Sequence, residues 1–233
     1  MIRSLRALSV LLAYPSEELQ ANIGEIRNAL AVERLVPPAG RDALEPLLTA
    51  LESRELYDLQ EDYSDLFDRS RKLSLHLFEH VHGDSRDRGP AMVDLGQTYF
   101  DRGFAMTVSE LPDYLPLYLE FLACQPFAEA RALLGEPAHV LAALQQRLAD
   151  RDSPYAGVFI ALLGLAEARP DAEALKALLE RTEEDVADAD VDDEWREAPV
   201  TFGRPDHEAG GPTGLIAKIR AGRRSAGTKN QEA

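Results

Sequence analysis

The chain has 233 residues, 45% of them hydrophobic and 28% charged, which suits one globular domain with or without a tail. Its net charge of −16 opposes general nucleic-acid binding, which needs clustered Lys and Arg to displace counterions from phosphate. A single cysteine, Cys124, excludes an intramolecular disulfide and fits a reduced cytoplasmic setting.

The opening stretch, MIRSLRALSVLLAYPSE, places Arg3 and Arg6 before an apolar run and so imitates a signal peptide. The run is short, and no small-x-small cleavage site follows before Pro15. Leu5, Leu8 and Leu12 instead repeat at helical spacing, which predicts a helix of the domain. No stretch has the apolar length of a membrane span, so no stable membrane insertion is expected.

Leu19, Ile23, Ile26 and Leu30 predict one helix face, ended by Pro37 and Pro38. Leu44, Leu47, Leu48 and Leu51 mark a second stripe, and Leu56, Leu59, Tyr63, Leu66 and Phe67 a third. The segment SLHLFEHVHGDSRDRG, residues 74–89, breaks this pattern at Gly83. Part of it alternates polar and apolar residues, yet no pairing strand stands out nearby.

A new helix is predicted from Ser85 or Asp87, with Met92, Leu95 and Tyr99 inside and Gly103 as its stop. Pro112 suits the first turn of the next helix. Asp113 would there complement the positive end of the dipole. Leu115, Tyr118, Leu119 and Leu122 continue that helix. Further helices are predicted over 127–134, 137–148, 155–168 and 171 to about 185. The third of these is apolar almost all round, the mark of a central helix.

The fold class expected is therefore all-α, a single-domain helical bundle over residues 1–195. At its end, an acidic stretch holding Trp195 gives way to Gly- and Pro-rich sequence and then to the basic LIAKIRAGRRSAGTKNQEA. Residues 196–233 are expected to be a disordered tail, since they cannot bury enough apolar surface to order themselves. A basic end folded back on the acidic stretch is the alternative.

His76, His80 and His82, with Glu79, invite a metal reading. A helix would bring His76 and His80 together, and a strand His80 and His82; no regular conformation presents all three. The order is not H-E-x-x-H, and Cys124, His139 and His207 are isolated, so no metal or other cofactor is expected. Glu79, His80, Asp84 and Asp87 could serve acid–base chemistry, but P-loop, dinucleotide and nucleophile-elbow motifs are all missing. A plainer account has Arg86 and Arg88 forming surface pairs with Asp84 and Asp87, worth about 0–1 kcal/mol each.

A peptide groove is the remaining option. LPDYLPLYLEFLA, residues 111–123, has more apolar and aromatic residues than one inner face needs. Core packing accounts for Leu115, Leu119 and Leu122. Tyr114, Tyr118 and Glu120 are less easily assigned to the core.

Two stretches then carry a resemblance. YSDLFDRSRKLSLHLFEHVHGDSRDRGPAMVDL, residues 63–95, closely resembles the first signature of the nitrate reductase delta-subunit family of NarJ-type chaperones. ELPDYLPLYLEFLA, residues 110–123, resembles its second, and the likeness extends to about Trp195. The resemblance implies the all-helical fold of molybdenum-enzyme chaperones related to the TorD type. It implies a cytoplasmic, non-enzymatic protein, expected to be a monomer. Its implied partner is the apo catalytic alpha subunit of a respiratory nitrate reductase. The chaperone would hold that subunit's N-terminal segment, as a helix, while molybdenum cofactor and iron–sulfur clusters are inserted.

The implied peptide-binding residues are Phe78, Glu79, His80, His82, Asp84, Arg86 and Arg88 from the first motif. The second contributes Pro112, Asp113, Tyr114, Leu117, Tyr118, Glu120 and Phe121. Tyr114 stands where the wider superfamily carries a histidine, which puts that anchor in question. A chaperone for another molybdenum oxidoreductase is the alternative reading, and a histidine-metal hydrolase the outsider.

Overall fold

A computed structural model describes residues 1–83, 85–106 and 110–180. Its regular structure is helical throughout. In chain order the helices are α1 (Arg3–Leu11), α2 (Glu17–Ala21), α3 (Ile23–Glu33), α4 (Pro38–Ser53), α5 (Leu56–Phe67) and α6 (Leu77–His82). They continue as α7 (Arg88–Asp101), α8 (Leu115–Ala123), α9 (Phe127–Gly135), α10 (Ala138–Ala149), α11 (Ala156–Leu165) and α12 (Ala172–Glu180). A 3-10 turn, Arg71–Leu73, precedes α6. The predicted all-α bundle is thus the observed fold, and the one β-type pairing among the described residues is an isolated bridge.

The centre is α11 packed on α4. Val158, Phe159, Ala161 and Leu162 of α11 are fully buried, as the all-round apolar sequence predicts. The two helices approach closely because Gly157 lacks a Cβ: one placed there would overlap the Ala43 carbonyl oxygen. α10 packs on both α11 and α12. α1 lies along α8, tied by the Ile2 N–H donating to the Ala123 carbonyl at 2.6 Å and the Ser9 hydroxyl to the Pro116 carbonyl at 2.8 Å. The signal-like N-terminal run is therefore a core helix, with Leu5, Leu8, Leu11 and Leu12 buried.

Three local readings change. The helix predicted through Leu19 and Leu30 is two helices, α2 and α3, parted at Asn22. Ser16 caps the first through its hydroxyl. The Asn22 side chain donates to the Glu18 carbonyl at 2.8 Å, the local competition with helical bonding expected of Asn. Leu19, Ile23, Ile26 and Leu30 are buried all the same. α3 stops before the prolines, at Arg34 with φ 55°, and Pro38 opens α4 rather than closing α3.

Pro112 is not in a helical turn. Pro116 takes the early helical position of α8. Gly103, at φ 75°, follows α7 as predicted, a left-handed position that glycine adopts without a Cβ clash. No described helix is long and apolar enough to cross a membrane. The expectation of a disordered tail over 196–233 lies outside the described residues, as does the end of the helix predicted to about 185.

Candidate functional site

The two signature stretches meet. The chain before α6 is extended at His76, and the chain before α8 is extended at Tyr114. They pair antiparallel through His76 and Tyr114. The Leu115 N–H donates to the Leu75 carbonyl at 2.8 Å, and the Leu77 N–H to the Asp113 carbonyl at 3.1 Å. The alternation in SLHLFEHVHG was the sequence signal for this extended pairing. Its partner was a three-residue run too short to read as a strand.

Asp113 locks the junction. It is 0% exposed. One carboxylate oxygen accepts the Phe78 N–H at 3.0 Å, and the other lies 3.3 Å from His76 Nδ1. It serves the positive end of a helix, as its sequence position suggested, but the helix is α6 rather than its own α8. The hydrogen bond to Asp113 holds the His76 imidazole above its ordinary 6.5; burial opposes this, and the nearby Glu79 supports it.

Aromatic hydroxyls tie the surroundings. The Tyr99 hydroxyl donates to the Pro112 carbonyl at 2.6 Å, and the Tyr118 hydroxyl to the Leu133 carbonyl at 2.9 Å. Burial raises both phenols above their ordinary range. Tyr114, its ring 5.3 Å from that of His76, has its hydroxyl 3.4 Å from the Tyr63 hydroxyl. Tyr63 donates in turn to the Leu12 carbonyl at 2.9 Å.

Most of the sequence-derived candidates belong to this frame. Phe78, His80, Pro112, Asp113, Leu117, Tyr118 and Phe121 are buried. Phe121 is ringed by Tyr99, Phe104 and Tyr118, with the Arg102 guanidinium 5.7 Å from its centroid. Five candidates are half-buried: Glu79, His82, Arg88, Tyr114 and Glu120. Arg88 and Glu79 form a 3.0 Å ion pair, and Glu120 pairs with Arg6 of α1 at 3.1 Å. Arg86 is exposed, and Asp84 lies outside the described residues.

The three histidines diverge. His76 goes to Asp113, His80 Nε2 lies 2.8 Å from the Ser74 carbonyl, and His82 meets Phe78 edge-on at 5.5 Å. Among the described residues, no three His, Cys, Asp or Glu groups converge as metal ligands.

A concavity among the described residues lies elsewhere, between α1 and the α2–α3 pair. It is an open cleft of about 730 Å³, within the ~300–1,000 Å³ usual for ligand pockets. Ala7, Val10, Ala13, Leu19, Ile26 and Ala29 supply its apolar surface, and Arg3, Arg6, Glu18 and Glu25 its charged rim. Tyr14, 51% exposed, stands at one end with its ring 5.5 Å from Tyr63. Tyr14–Tyr63–Tyr114 therefore forms a continuous aromatic path from cleft to junction, and Arg6–Glu120 a second, ionic link.

None of the cleft residues was read as a site from the sequence. The available signal was the N-terminal helix itself, amphipathic yet carrying Arg3 and Arg6 and followed by Tyr14.

Comparison with known proteins places these features in context. Residues 33–161 match the nitrate reductase delta subunit family. The chain is 42% identical over 195 residues to the nitrate reductase molybdenum cofactor assembly chaperone NarJ of Escherichia coli K12, covering 84% of this chain and 83% of that protein. It is 40% identical over 198 residues to a second protein of that strain, NarW, named a probable chaperone of the same kind, covering 85% and 83%. A Bacillus subtilis protein with the same kind of name is 35% identical over 165 residues, covering 69% and 86%.

Proposed function

This chain belongs to the nitrate reductase delta subunit family, and we propose that it is a non-enzymatic chaperone for assembly of a nitrate reductase that carries molybdenum cofactor. Its partner is the apo catalytic alpha subunit, engaged in the cytoplasm through its N-terminal segment, before cofactor and iron–sulfur insertion are complete. The observation that carries the peptide reading is the open cleft between α1 and α2–α3, part apolar and part charged in its lining. Its shape suits one apolar face of a bound helix, the groove mode of peptide recognition. Each apolar side chain so buried contributes about 1.5–3 kcal/mol.

The candidate residues divide by accessibility. Tyr114 and Glu120 reach the cleft through Tyr63–Tyr14 and Arg6. Glu79, His82, Arg86 and Arg88 form a separate, partly exposed group running from α6 to the start of α7, which a longer partner segment would meet. Phe78, His80, Pro112, Asp113, Leu117, Tyr118 and Phe121 support both from beneath.

Calorimetric titration of the full chain with a synthetic peptide of the cognate alpha subunit's N-terminal segment tests this. Tyr14→Ser and Ala29→Asp are expected to weaken binding by about tenfold or more, the loss of one apolar contact. Unchanged affinity in both variants, with loss in His82→Ala and Arg86→Ala, would move the site to the α6–α7 group. No binding by the unaltered protein would overturn the peptide reading altogether.

A further inference from the structure

Two helices that wall the cleft each break a local rule, and the two breaches answer one another. α1 opens with Ile2 at its cap position, with no side-chain cap of its own and no acid in its first turn, although first-turn N–H groups need acceptors. α3 ends on Glu33, an acid at the negative end of a helix dipole, where a cation is favoured. The Glu33 carboxylate reaches across. One oxygen accepts the Arg3 N–H at 3.0 Å and the other the Ser4 N–H at 2.6 Å. Burial would raise the Glu33 carboxyl; the hydrogen bonds from Ser4 and Arg3, with the Arg3 charge, outweigh it and hold the carboxyl below its ordinary 4.5. Glu33 is therefore ionised near neutral pH, and both hydrogen bonds are charge-assisted.

We propose that Glu33 is a positioning residue for peptide binding: by capping α1 from the end of α3, it fixes the spacing of the two cleft walls at the Arg3 end. The inference rests on the cleft being the peptide site proposed above.

The place of these bonds carries the argument. Met1, Arg3, Arg6 and Ala7 line the cleft from the start of the chain and α1, and Ile26 and Ala29 line it from α3. Glu33 stands about one turn beyond Ala29 on the same helix. Past Tyr14, the chain itself joins the two walls through α2. At the Arg3 end the walls belong to segments 30 residues apart, and Glu33 ties them. α1 is fixed separately to α8 through Ile2 and Ser9. It also packs on α3, but apolar packing is non-directional, whereas a carboxylate with two N–H partners sets distance and angle.

Without Glu33, the Arg3 and Ser4 N–H groups lose their acceptors and the first turn of α1 frays more readily. Loss of a cap shifts the ratio of closed to frayed turn by about tenfold. A ligand that needs the closed turn then binds more weakly, in proportion to the share that has opened.

Hydrogen exchange on the full chain tests the cap with no partner present. Glu33→Ala is expected to speed exchange at Arg3, Ser4 and Arg6 by about tenfold, with the α11 amides unchanged. Unchanged exchange in the first turn of α1, or equal acceleration in α11, overturns the proposal.

Titration with the alpha-subunit N-terminal peptide tests positioning, at a temperature where α11 amide protection reports each variant folded. Glu33→Ala is expected to weaken binding about three- to tenfold. Glu33→Gln keeps one carbonyl acceptor and is expected to recover part of that loss. Full affinity in Glu33→Ala overturns the proposal. A double-mutant cycle separates positioning from stability. In an Arg3→Ala background the effect of Glu33→Ala should shrink to within about twofold, because the displaced side chain is already gone; in a Tyr14→Ser background it should persist in full. Equal effects in the two backgrounds overturn the positioning role. Weaker binding in Tyr14→Ser and Ala29→Asp but not in Glu33→Ala refutes this inference alone. Full affinity in all three refutes the cleft reading and this inference with it.

Discussion

The junction between α6 and α8 and the cleft beside α1 are built on opposite terms. At the junction, polar groups are buried and satisfied: Asp113 accepts a backbone N–H, Tyr99 and Tyr118 donate to carbonyls, and His76 faces a carboxylate. At the cleft, Val10, Ala13 and Ala29 stay partly exposed beside the exposed Tyr14, and Glu18 and Glu25 lack ionic partners among the described residues. The first arrangement is one that breaks when a group is removed, because a buried partner loses its hydrogen bond. The second gains by receiving something. The residues that mark a family most visibly need not be the ones that touch its ligand, since buried hydrogen-bonded positions tolerate few replacements.

That contrast can be broken from its strong side first. Asp113→Ala leaves the Phe78 N–H without its acceptor and is expected to destabilise the fold by about 3 kcal/mol, read from urea unfolding. Any change in peptide affinity should then vanish at temperatures where the variant is fully folded. A fully folded variant of wild-type stability that fails to bind peptide would make Asp113 a contact rather than a scaffold residue. Tyr118→Phe removes one buried hydroxyl–carbonyl bond and should cost about 1–2 kcal/mol, with peptide affinity within twofold of wild type. Tyr14→Ser, at the exposed end of the cleft, is expected to reverse the pattern. Its stability should change by only about 0.5 kcal/mol, while binding falls as described above.

The smallest effect is one of pH. His76 is held above its ordinary 6.5 by Asp113, so its protonated form favours the folded state. That contribution is fully present below the unfolded-state value and is lost as pH rises through the folded-state value. Melting temperature should therefore decline slightly across that window in wild type, and His76→Gln should flatten the decline. An unaltered profile in His76→Gln would remove His76 as the titrating group.

How far the sequence reached differs by element. α11 was legible because an apolar residue at nearly every position has only one home, the centre of a bundle. The stripe through Leu19, Ile23, Ile26 and Leu30 was legible as burial but not as one helix. Spacing reports which face turns inward, whereas the break at Asn22 depends on a side chain competing with the backbone. Pro112 and Asp113 were assigned to a helical turn because Pro-Asp fits one; the extended pairing of the next residue, Tyr114, with His76, 38 residues earlier, outweighed that local preference. In the two signatures, spacing excluded a regular metal cluster but said nothing of which residues would be buried.

Composition and periodicity alone determined that this protein is an all-α bundle with a buried, nearly all-apolar helix, and the two motifs determined its kinship. Both are properties of local pattern, carried by side-chain spacing along one stretch of chain. Only the tertiary structure decided that the two motifs join through Asp113 and that an open cleft lies beside α1. Those outcomes depend on contacts between residues 30 to 107 positions apart, and no one-dimensional pattern encodes which distant donor will meet which acceptor.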